Sequence, residues 1–356
     1  MDPGEPKSTS RARRLTRRAW LRLGAAGVAG LSGGAALDFA ARGRAGASSG
    51  RADPVARRDG PSPSLPSVGF DPDAFLSEFD YGRVSRGSGG RTVRDYELVA
   101  LDREIEVAPG VWFPAWTYNG QVPGPTLRCT EGDWLRVRFV NGGSHPHTIH
   151  FHGIHPPEMD GVSPPVAPGE TLTYEFEARP FGLHLYHCHA MPLKRHIHKG
   201  LYGVFIVDPP DGREPAREMV MVMNGFDTNF DGENEIYAVN SAPFFHREHP
   251  IRVGVDDPVR IYLANFTEFD LINSFHLHAG MFRLYRTGTG RDRYELTDTV
   301  MLCQGERHIL ELELGHPGRH MFHAHQSEFA ELGWLGFLEA VPRLADGEGV
   351  PVHRYG

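Results

Sequence analysis

The His-x-His spacing occurs six times in the 356-residue chain, and eight histidines form the four of these pairs that lie at corresponding places in two halves of the chain. On a β-strand, residues i and i+2 point to the same face, so each pair would present two imidazoles side by side. Imidazole is a good ligand for copper and zinc. Because the pairs occur at corresponding places in two halves of the chain, they predict a polynuclear metal site. The pairs are His150/His152, His187/His189, His276/His278 and His323/His325.

One cysteine, Cys188, lies between the two histidines of the second pair. On a strand its side chain would point to the opposite face, where the thiolate could bind a separate metal ion. Two histidines, one cysteine and a weak axial neighbour are typical of a blue-copper site. His147 and His196 would supply the nitrogens and Leu201 would lie at the axial position, with His198 as an alternative to His196. The pattern predicts a blue-copper site that takes up electrons, called the electron port below. Cys188 would join it to the polynuclear metal site, which receives the electrons.

The elements that position these residues are predicted to be β-strands. Apolar and polar residues alternate over 135–139, 172–176 and 310–314, and no convincing helical stretch occurs outside the N-terminal segment. Residues 95–210 and 211–345 repeat the same order of motifs, with one His-x-His pair, a strand, and then a second pair. Short strands in repeats of this length predict an all-β fold of two Greek-key β-sandwich domains.

The N-terminal segment has the features of an export signal. Thr16–Arg22 contains a twin-arginine pattern, 23–37 is apolar, and the small residues at 45–47 are a cleavage candidate. The apolar run is shorter than the ~20 residues that span a bilayer. We therefore predict a cleaved twin-arginine signal over 1–47, a periplasmic, cell-surface or secreted location, and no membrane anchor.

Composition limits the remaining possibilities. Residues 48–94 are rich in Pro, Gly, Ser and charge, which predicts a linker or arm, and 346–356 would form a tail. The net charge is −8 although the export segment is basic, so the exported body is acidic and nucleic acid is not expected as a partner. Of the three cysteines, Cys129 and Cys303 are predicted to be buried apolar thiols.

The motifs HPHTIHFHG, HCHAMPLKRHIHKGLYG, SFHLHAG and HMFHAH resemble those of two-domain multicopper oxidases, laccase-like proteins with two cupredoxin domains. The resemblance covers about 95–345 and implies four coppers per chain, of which three form a cluster that reduces O₂ to water. By position, the cluster would use His150 and His276 for type 2 copper and His152, His187, His189, His278, His323 and His325 for the type 3 pair. Type 1 copper would be held by His147, Cys188 and His196.

Domain two has Asn273 and Ala324 where the resemblance would require the type 1 histidine and cysteine, so one electron port per chain is expected, in domain one. The resemblance also implies homotrimers with each cluster shared between two chains. Phenols, aromatic amines and low-valent metal ions are the donor classes it implies. Asp160 matches an acidic position beside the cluster and is predicted to relay protons, with Glu328 as a second candidate. Asp160 could instead be a turn residue before Gly161.

Two other functions fit part of this sequence pattern. Copper nitrite reductases share the two domains and the first-domain blue copper, but they carry a single type 2 copper held by three histidines. His189 and the pair His323/His325 favour the oxidase. A non-enzymatic cupredoxin, acting as an electron carrier or copper store, would not need four His-x-His pairs.

Overall fold

The structure is a computed structural model that describes residues 71–345 and 347–355. The predicted export signal and the first part of the predicted arm lie outside the described residues. Within the described part, the chain is built almost entirely of strands in two sandwich domains, which confirms the predicted all-β fold. No described helix is both long and apolar enough to cross a membrane.

Domain one packs two five-stranded sheets against each other. Its strands are β1 (Phe79–Asp80), β2 (Arg83–Arg86), β3 (Thr92–Ala108), β4 (Val111–Tyr118), β5 (Thr126–Thr130), β6 (Trp134–Asn141), β7 (His150–Phe151), β8 (Thr171–Glu177), β9 (Gly182–His187) and β10 (Tyr202–Asp208). One sheet has the order β1-β5-β10-β9-β7 and the other β2-β3-β6-β8, with β4 also paired to β3. The alternation predicted in β6 places Leu135, Val137 and Phe139 in the core.

Domain two repeats the arrangement with one sheet of five strands and one of seven. Its strands are β11 (Ala216–Phe226), β12 (Ile236–Val239), β13 (Ile251–Gly254), β14 (Val259–Asn265), β15 (Ile272–Leu277), β16 (Phe282–Arg286), β17 (Glu295–Thr297), β18 (Thr299–Cys303), β19 (Arg307–Leu312), β20 (Gly318–His323), β21 (Leu335–Val341) and β22 (Val352–His353). One sheet has the order β13-β21-β20-β15-β18, and the other β12-β11-β14-β19-β16-β17, with β22 paired to β11. The antiparallel neighbours β15 and β20 correspond to β7 and β9 of domain one.

In the part of the chain that the structure describes, four short α-helices interrupt the strands, where the sequence predicted none. They are α1 (Pro72–Phe75), α2 (Leu193–His198), α3 (Phe245–Glu248) and α4 (Ser327–Glu331). Each has between four and six residues, which is too short for a hydrophobic period to appear in the sequence. Two of them, α2 and α4, follow the second His-x-His pair of their domain.

Residues 71–91, part of the predicted arm, pack into the fold. Phe75 and Leu76 are buried in the larger core cluster, and the carbonyl of Leu76 accepts a hydrogen bond from the N–H of Val220 in β11 (2.8 Å). Strand β1 extends the domain-one sheet beside β5. The average composition of this segment is that of a linker, but these two apolar side chains lie in the core.

A buried ionic network connects β5 of domain one to domain two. The Arg128 guanidinium contacts Glu218 (2.6 Å) and Asp208 (2.8 Å), and Arg260 contacts Glu218 (2.6 Å). Burial alone would raise the pKa of Glu218, but Arg128 and Arg260 lower it to about 2. The Tyr355 hydroxyl, at the end of the predicted tail, donates to Glu218 (2.8 Å).

The prediction for the two remaining cysteines is half correct. Cys129 is buried in the domain-one core, whereas Cys303 is exposed. Cys303 is the last residue of the edge strand β18, where the outward-facing positions reach solvent.

Candidate metal centres

The three residues predicted for the blue-copper site meet in the interior of domain one. The sulfur of Cys188 lies 3.2 Å from Nδ1 of His196 and 3.9 Å from Nδ1 of His147, and the two nitrogens are 3.1 Å apart. Burial lowers the pKa of His147 to about 3 and that of His196 to about 4, so both imidazoles are neutral and offer lone pairs. Two neutral imidazoles and one sulfur fit a copper ion.

Three chain segments form this site. Cys188 directly follows β9, and its N–H donates to the carbonyl of Leu201 (2.9 Å). The N–H of Thr148, next to His147, points at the Cys188 sulfur (3.4 Å). Leu201, predicted for the axial position, is fully buried in the same core cluster as Cys188. Burial raises the pKa of the Cys188 thiol, so a bound cation would be needed to hold it as a thiolate.

Helix α2 separates the two candidate histidines His196 and His198. Residues two apart on a helix point in different directions, unlike residues two apart on a strand. Nε2 of His198 accepts a hydrogen bond from the N–H of Asp227 (3.1 Å), and its ring packs edge-on against Phe269. His196, not His198, is the histidine brought to Cys188.

The two His-x-His pairs of domain one form a quartet on the other side of Cys188. His150 and His187 are cross-strand partners on β7 and β9, and the Nε2 atoms of His152 and His187 are 3.2 Å apart. The His189 ring lies 5.4 Å from that of His150. Burial lowers the pKa of His152 to about 2 and that of His187 to about 4. These imidazoles are therefore also neutral and can donate a nitrogen lone pair to a metal.

Domain two contains a second quartet with the same geometry. His276 and His323 are cross-strand partners on β15 and β20, and the Nε2 atoms of His278 and His323 are 2.9 Å apart. The His325 ring lies 5.2 Å from that of His276. His278 and His325 are exposed, whereas all four histidines of the domain-one quartet are at least half-buried.

Backbone carbonyls orient corresponding histidines of both quartets in the same way. When Nδ1–H of a histidine donates to a carbonyl, Nε2 keeps a free lone pair for a metal. The Nδ1–carbonyl contacts are His150 to Asp160 (2.9 Å), His187 to Cys188 (3.0 Å), His276 to Asp298 (2.9 Å) and His323 to Ala324 (2.6 Å). The two domains therefore present two pseudo-symmetric half-sites.

The half-sites do not meet within one chain. Over residues 71–345 and 347–355, every group of three or more ligand atoms close enough to hold one ion takes its histidines from a single domain. A site that used all eight histidines would therefore need quartets from two chains.

In domain two, apolar side chains occupy the position equivalent to the blue-copper site. The N–H of Ala324 donates to the carbonyl of Trp334 (3.2 Å), as Cys188 does to Leu201. Trp334 is therefore the counterpart of the axial residue, and Phe329, five residues earlier, is the counterpart of the second histidine. Both rings are buried.

This replacement was only partly visible in the sequence. Asn273 and Ala324 were identified as departures, and Asn273 is buried and donates to Thr267 (3.0 Å). Phe329 and Trp334 were not identified. The signal that could have found them is the Gly-x-x-Gly frame shared by 200–203 and 333–336.

Asp160 contacts the domain-one quartet in two ways. Its carbonyl lies 2.9 Å and its carboxylate 3.1 Å from Nδ1 of His150, and the carboxylate is 3.8 Å from Nε2 of His155. Asp160 also precedes Gly161, which has a φ of 72°, so the turn and the histidine contact coexist. Glu328 lies exposed in the first turn of α4, three residues after His325.

Three supporting residues were missed in the sequence. The Thr148 hydroxyl accepts the N–H of His189 (3.0 Å), and the Ser274 hydroxyl accepts that of His325 (2.7 Å). Both precede the first His-x-His pair of their domain by two residues, so an alignment of HTIHFH with NSFHLH would have shown them. The Trp116 ring packs against His196 at 4.8 Å between centroids and had no sequence signal.

A cavity of about 420 Å³ opens beside the candidate blue-copper site. It is lined by His196 and mainly by apolar groups, including Trp116, Ala190 and Met191. His189 of the quartet also lines it. A molecule in this cavity would contact one of the candidate type 1 ligands directly.

The fold and these sites define a copper-binding oxidoreductase made of two cupredoxin domains. Two multicopper oxidase family models match the chain in succession, over residues 102–212 and 213–341. The chain belongs to the multicopper oxidase family and is a two-domain member of it.

Relatives include both oxidases and nitrite reductases. A solved structure described as a multicopper oxidase is 53% identical, with a TM-score of 0.76 over 77% of this chain and 98% of its own. A copper nitrite reductase from Nitrosomonas europaea is 26% identical, with a TM-score of 0.65 over 73% of this chain and 97% of its own. A copper-containing nitrite reductase from Neisseria meningitidis is 27% identical over 63% of this chain and 65% of its own length. The chain thus spans just under two thirds of that curated relative.

Proposed function

We propose that the protein oxidises a small reducing donor one electron at a time and couples this to the four-electron reduction of O₂ to water. The observation that carries the proposal is the presence of two complete histidine quartets with Cys188 between two histidines of one of them. Bound copper, one type 1, one type 2 and two type 3 ions per chain, would supply electron storage and dioxygen binding.

The protein residues supply position and protons. A donor in the cavity beside His196 would contact this member of the type 1 ligand set, in a space of the size used for small molecules. Cys188 joins that set to His187 and His189 through adjacent backbone atoms. Asp160, with its carboxylate at His150 and near His155, is placed to hold a proton beside the quartet.

The nitrite reductases among the relatives favour a second candidate, reduction of nitrite at a single type 2 copper. The completeness of both quartets supports the oxidase instead, because a three-histidine site would leave the remaining imidazoles without a use. Copper analysis of the purified protein separates the two. Four coppers per chain and O₂ consumption with a phenol or aromatic amine support the oxidase, whereas two coppers per chain and nitrite-dependent turnover contradict it.

The division into two metal centres is tested by Cys188→Ser. Loss of the thiolate should abolish the blue absorption and donor oxidation, while three coppers per chain remain because the neighbouring imidazoles keep their hydrogen bonds. Cys129→Ser is the matched control, because it replaces another buried thiol of domain one that is not a proposed ligand, and it should keep four coppers and the blue absorption. Loss of all copper from Cys188→Ser would contradict two separate centres.

We further propose a homotrimer in which each three-copper cluster lies between domain one of one chain and domain two of the next. The separation of the quartets within a chain and the exposure of His278 and His325 support this, and a head-to-tail contact repeats until the ring closes.

The trimer is tested by complementation. One variant carries His150→Ala and His152→Ala, the other His276→Ala and His278→Ala, and each should be inactive alone. Co-refolding should restore part of the O₂ uptake, because some interfaces then combine two intact quartets. A mixture as inactive as its parents would contradict clusters shared between chains.

Export by the twin-arginine route is also proposed, on the Thr16–Arg22 pattern. Replacing Arg17 and Arg18 by lysine should retain the protein inside the producing cell, as measured by fractionation. Unchanged export would contradict this route.

A further inference from the structure

Among the residues that the structure describes, Arg195 has the one Lys, Arg, Asp or Glu side chain that lines the cavity beside His196. The Arg195 guanidinium carbon lies 5.1 Å from the centroid of the Trp116 ring. The same ring lies 4.8 Å from the His196 ring. A positive group, an indole and a candidate type 1 ligand therefore lie in successive contact along one wall.

Two lysines lie next to Arg195, although they line a separate cavity and not this one. Lys194 and Lys199 flank Arg195 on α2 and just beyond it, and the Lys199 Nζ is 5.9 Å from the Trp116 ring. Within residues 71–345 and 347–355, no carboxylate lies within 4.0 Å of any of the three, whereas many other arginines form ion pairs. This concentration of positive charge is found on a chain whose net charge is −8.

Two of the acidic groups nearby, Asp102 and Asp227, are held by other partners, whereas Glu268 interacts with the charge of Lys194. Asp102 accepts the N–H of Ser144 (3.2 Å) and does not line the cavity. A second cavity on the other side of Arg195 contains Asp227 and Asp231. The Asp227 carboxylate accepts the N–H groups of Asp231 (3.1 Å) and Gly232 (2.8 Å) within its own loop.

We propose that this cavity selects small aromatic donors that carry a carboxylate or sulfonate, with the anion bound by Arg195 and the ring held against the apolar wall near His196. An anion next to an unpaired guanidinium gains a charge-assisted hydrogen bond, whereas a cationic donor meets like charge. Oxidation removes one electron from the donor and leaves its anionic group unchanged. The inference rests on the proposed function because that function supplies the oxidised type 1 centre that takes the electron.

The test uses donors that differ in charge but transfer one electron without a proton. Ferrocenecarboxylate, ferrocenemethanol and (ferrocenylmethyl)trimethylammonium are mixed anaerobically with the copper-loaded protein, and bleaching of the blue absorption gives the rate constants. Arg195→Gln should lower the ratio of the anionic to the neutral rate constant roughly tenfold, and Arg195→Lys should lower it less. Arg293→Gln removes an exposed charge from domain two as a matched control and should leave the ratio unchanged.

A binding measurement gives a second readout without electron transfer. Calorimetry should show that redox-inert 1-naphthalenesulfonate binds the wild-type protein roughly tenfold more tightly than Arg195→Gln, and that it competes with ferrocenecarboxylate. An unchanged ratio in Arg195→Gln, an equal change in Arg293→Gln, or equal losses for all three donors would overturn the proposal. The donor ratio is measured without O₂, so it does not depend on O₂ reduction. If only the oxidase proposal were wrong, Arg195→Gln would still change the donor ratio, but the wild-type protein would take up no O₂ in the aerobic assay.

Discussion

Cys188 and its two neighbours have opposite orientations in domain one. The sulfur faces the buried nitrogens of His147 and His196, whereas His187 and His189 face the quartet. Because the three residues are consecutive, covalent geometry fixes the separation of the two candidate centres. Changes around the sulfur are therefore expected to alter one centre while the other keeps its ligands.

Leu201 offers no atom that can bind copper. Leu201→Met would place a thioether in the same buried position, and an axial sulfur should lower the type 1 reduction potential. A redox titration of the blue absorption measures this, with Leu201→Ile as an apolar control. An unchanged or higher potential in Leu201→Met would contradict the axial position of this residue.

Gly161 is required by the turn that brings Asp160 to His150. Its φ is 72°, and an added Cβ would lie 1.8 Å from the carbonyl oxygen of Ile149. Gly161→Ala should therefore lower the free energy of unfolding by about 3 kcal/mol or more, measured by urea denaturation of the metal-free protein. Gly169→Ala is the matched control, because Gly169 has a φ of 84° with open space around it, and should cost only about 1 kcal/mol. If the two variants lost the same free energy of unfolding, the contact of the added Cβ with the Ile149 oxygen would not be the cause.

At the scale of elements, the sequence allowed the strands and paired histidines to be predicted more fully than their surroundings. Alternation and the i, i+2 spacing are local signals, so β6 and the quartets could be recognised. Helix α2 could not be predicted, because six residues are too few to show a helical period. The sequence therefore leaves His198 as an alternative to His196, and the helix separates them because it turns His198 toward Asp227. Trp116 could not be predicted either, because its contact with His196 joins residues 80 positions apart.

The ionic network around Arg128 links four strands, β5, β10, β11 and β14, and the C-terminal segment. Arg128→Leu would leave the buried carboxylates of Glu218 and Asp208 without their main partner, so it should lower the free energy of unfolding by about 3–5 kcal/mol. Arg138→Leu breaks an exposed ion pair with Glu97 in the same domain and should cost at most about 1 kcal/mol. Urea denaturation of both variants gives the comparison, and similar costs would contradict the role of burial.

For the whole molecule, buried neutral histidines should make stability depend on pH. Burial lowers the pKa of His246 to about 4, below its ordinary value of about 6.5. As the pH falls below about 6.5, the unfolded chain binds the proton first, so the stability is complete above that pH and decreases toward pH 4.

His246→Phe removes this contribution. The difference in the free energy of unfolding between about pH 7.5 and pH 5 should become smaller by about 2 kcal/mol in the metal-free protein. The exposed His316→Phe is the control. A pH dependence that stays the same in His246→Phe would show that other groups cause it.

The filled position in domain two also has a consequence for the history of the chain. The shared hydrogen bonds of the two quartets are what two copies of one ancestral domain would retain. Restoring a thiol at Ala324 alone would place it beside the counterpart positions Phe329 and Trp334, where domain one has His196 and Leu201. A working second port would need several substitutions at once, none useful by itself. The specialisation of the two copies is therefore difficult to reverse by single substitutions. Descendants of this chain would keep one electron port per subunit.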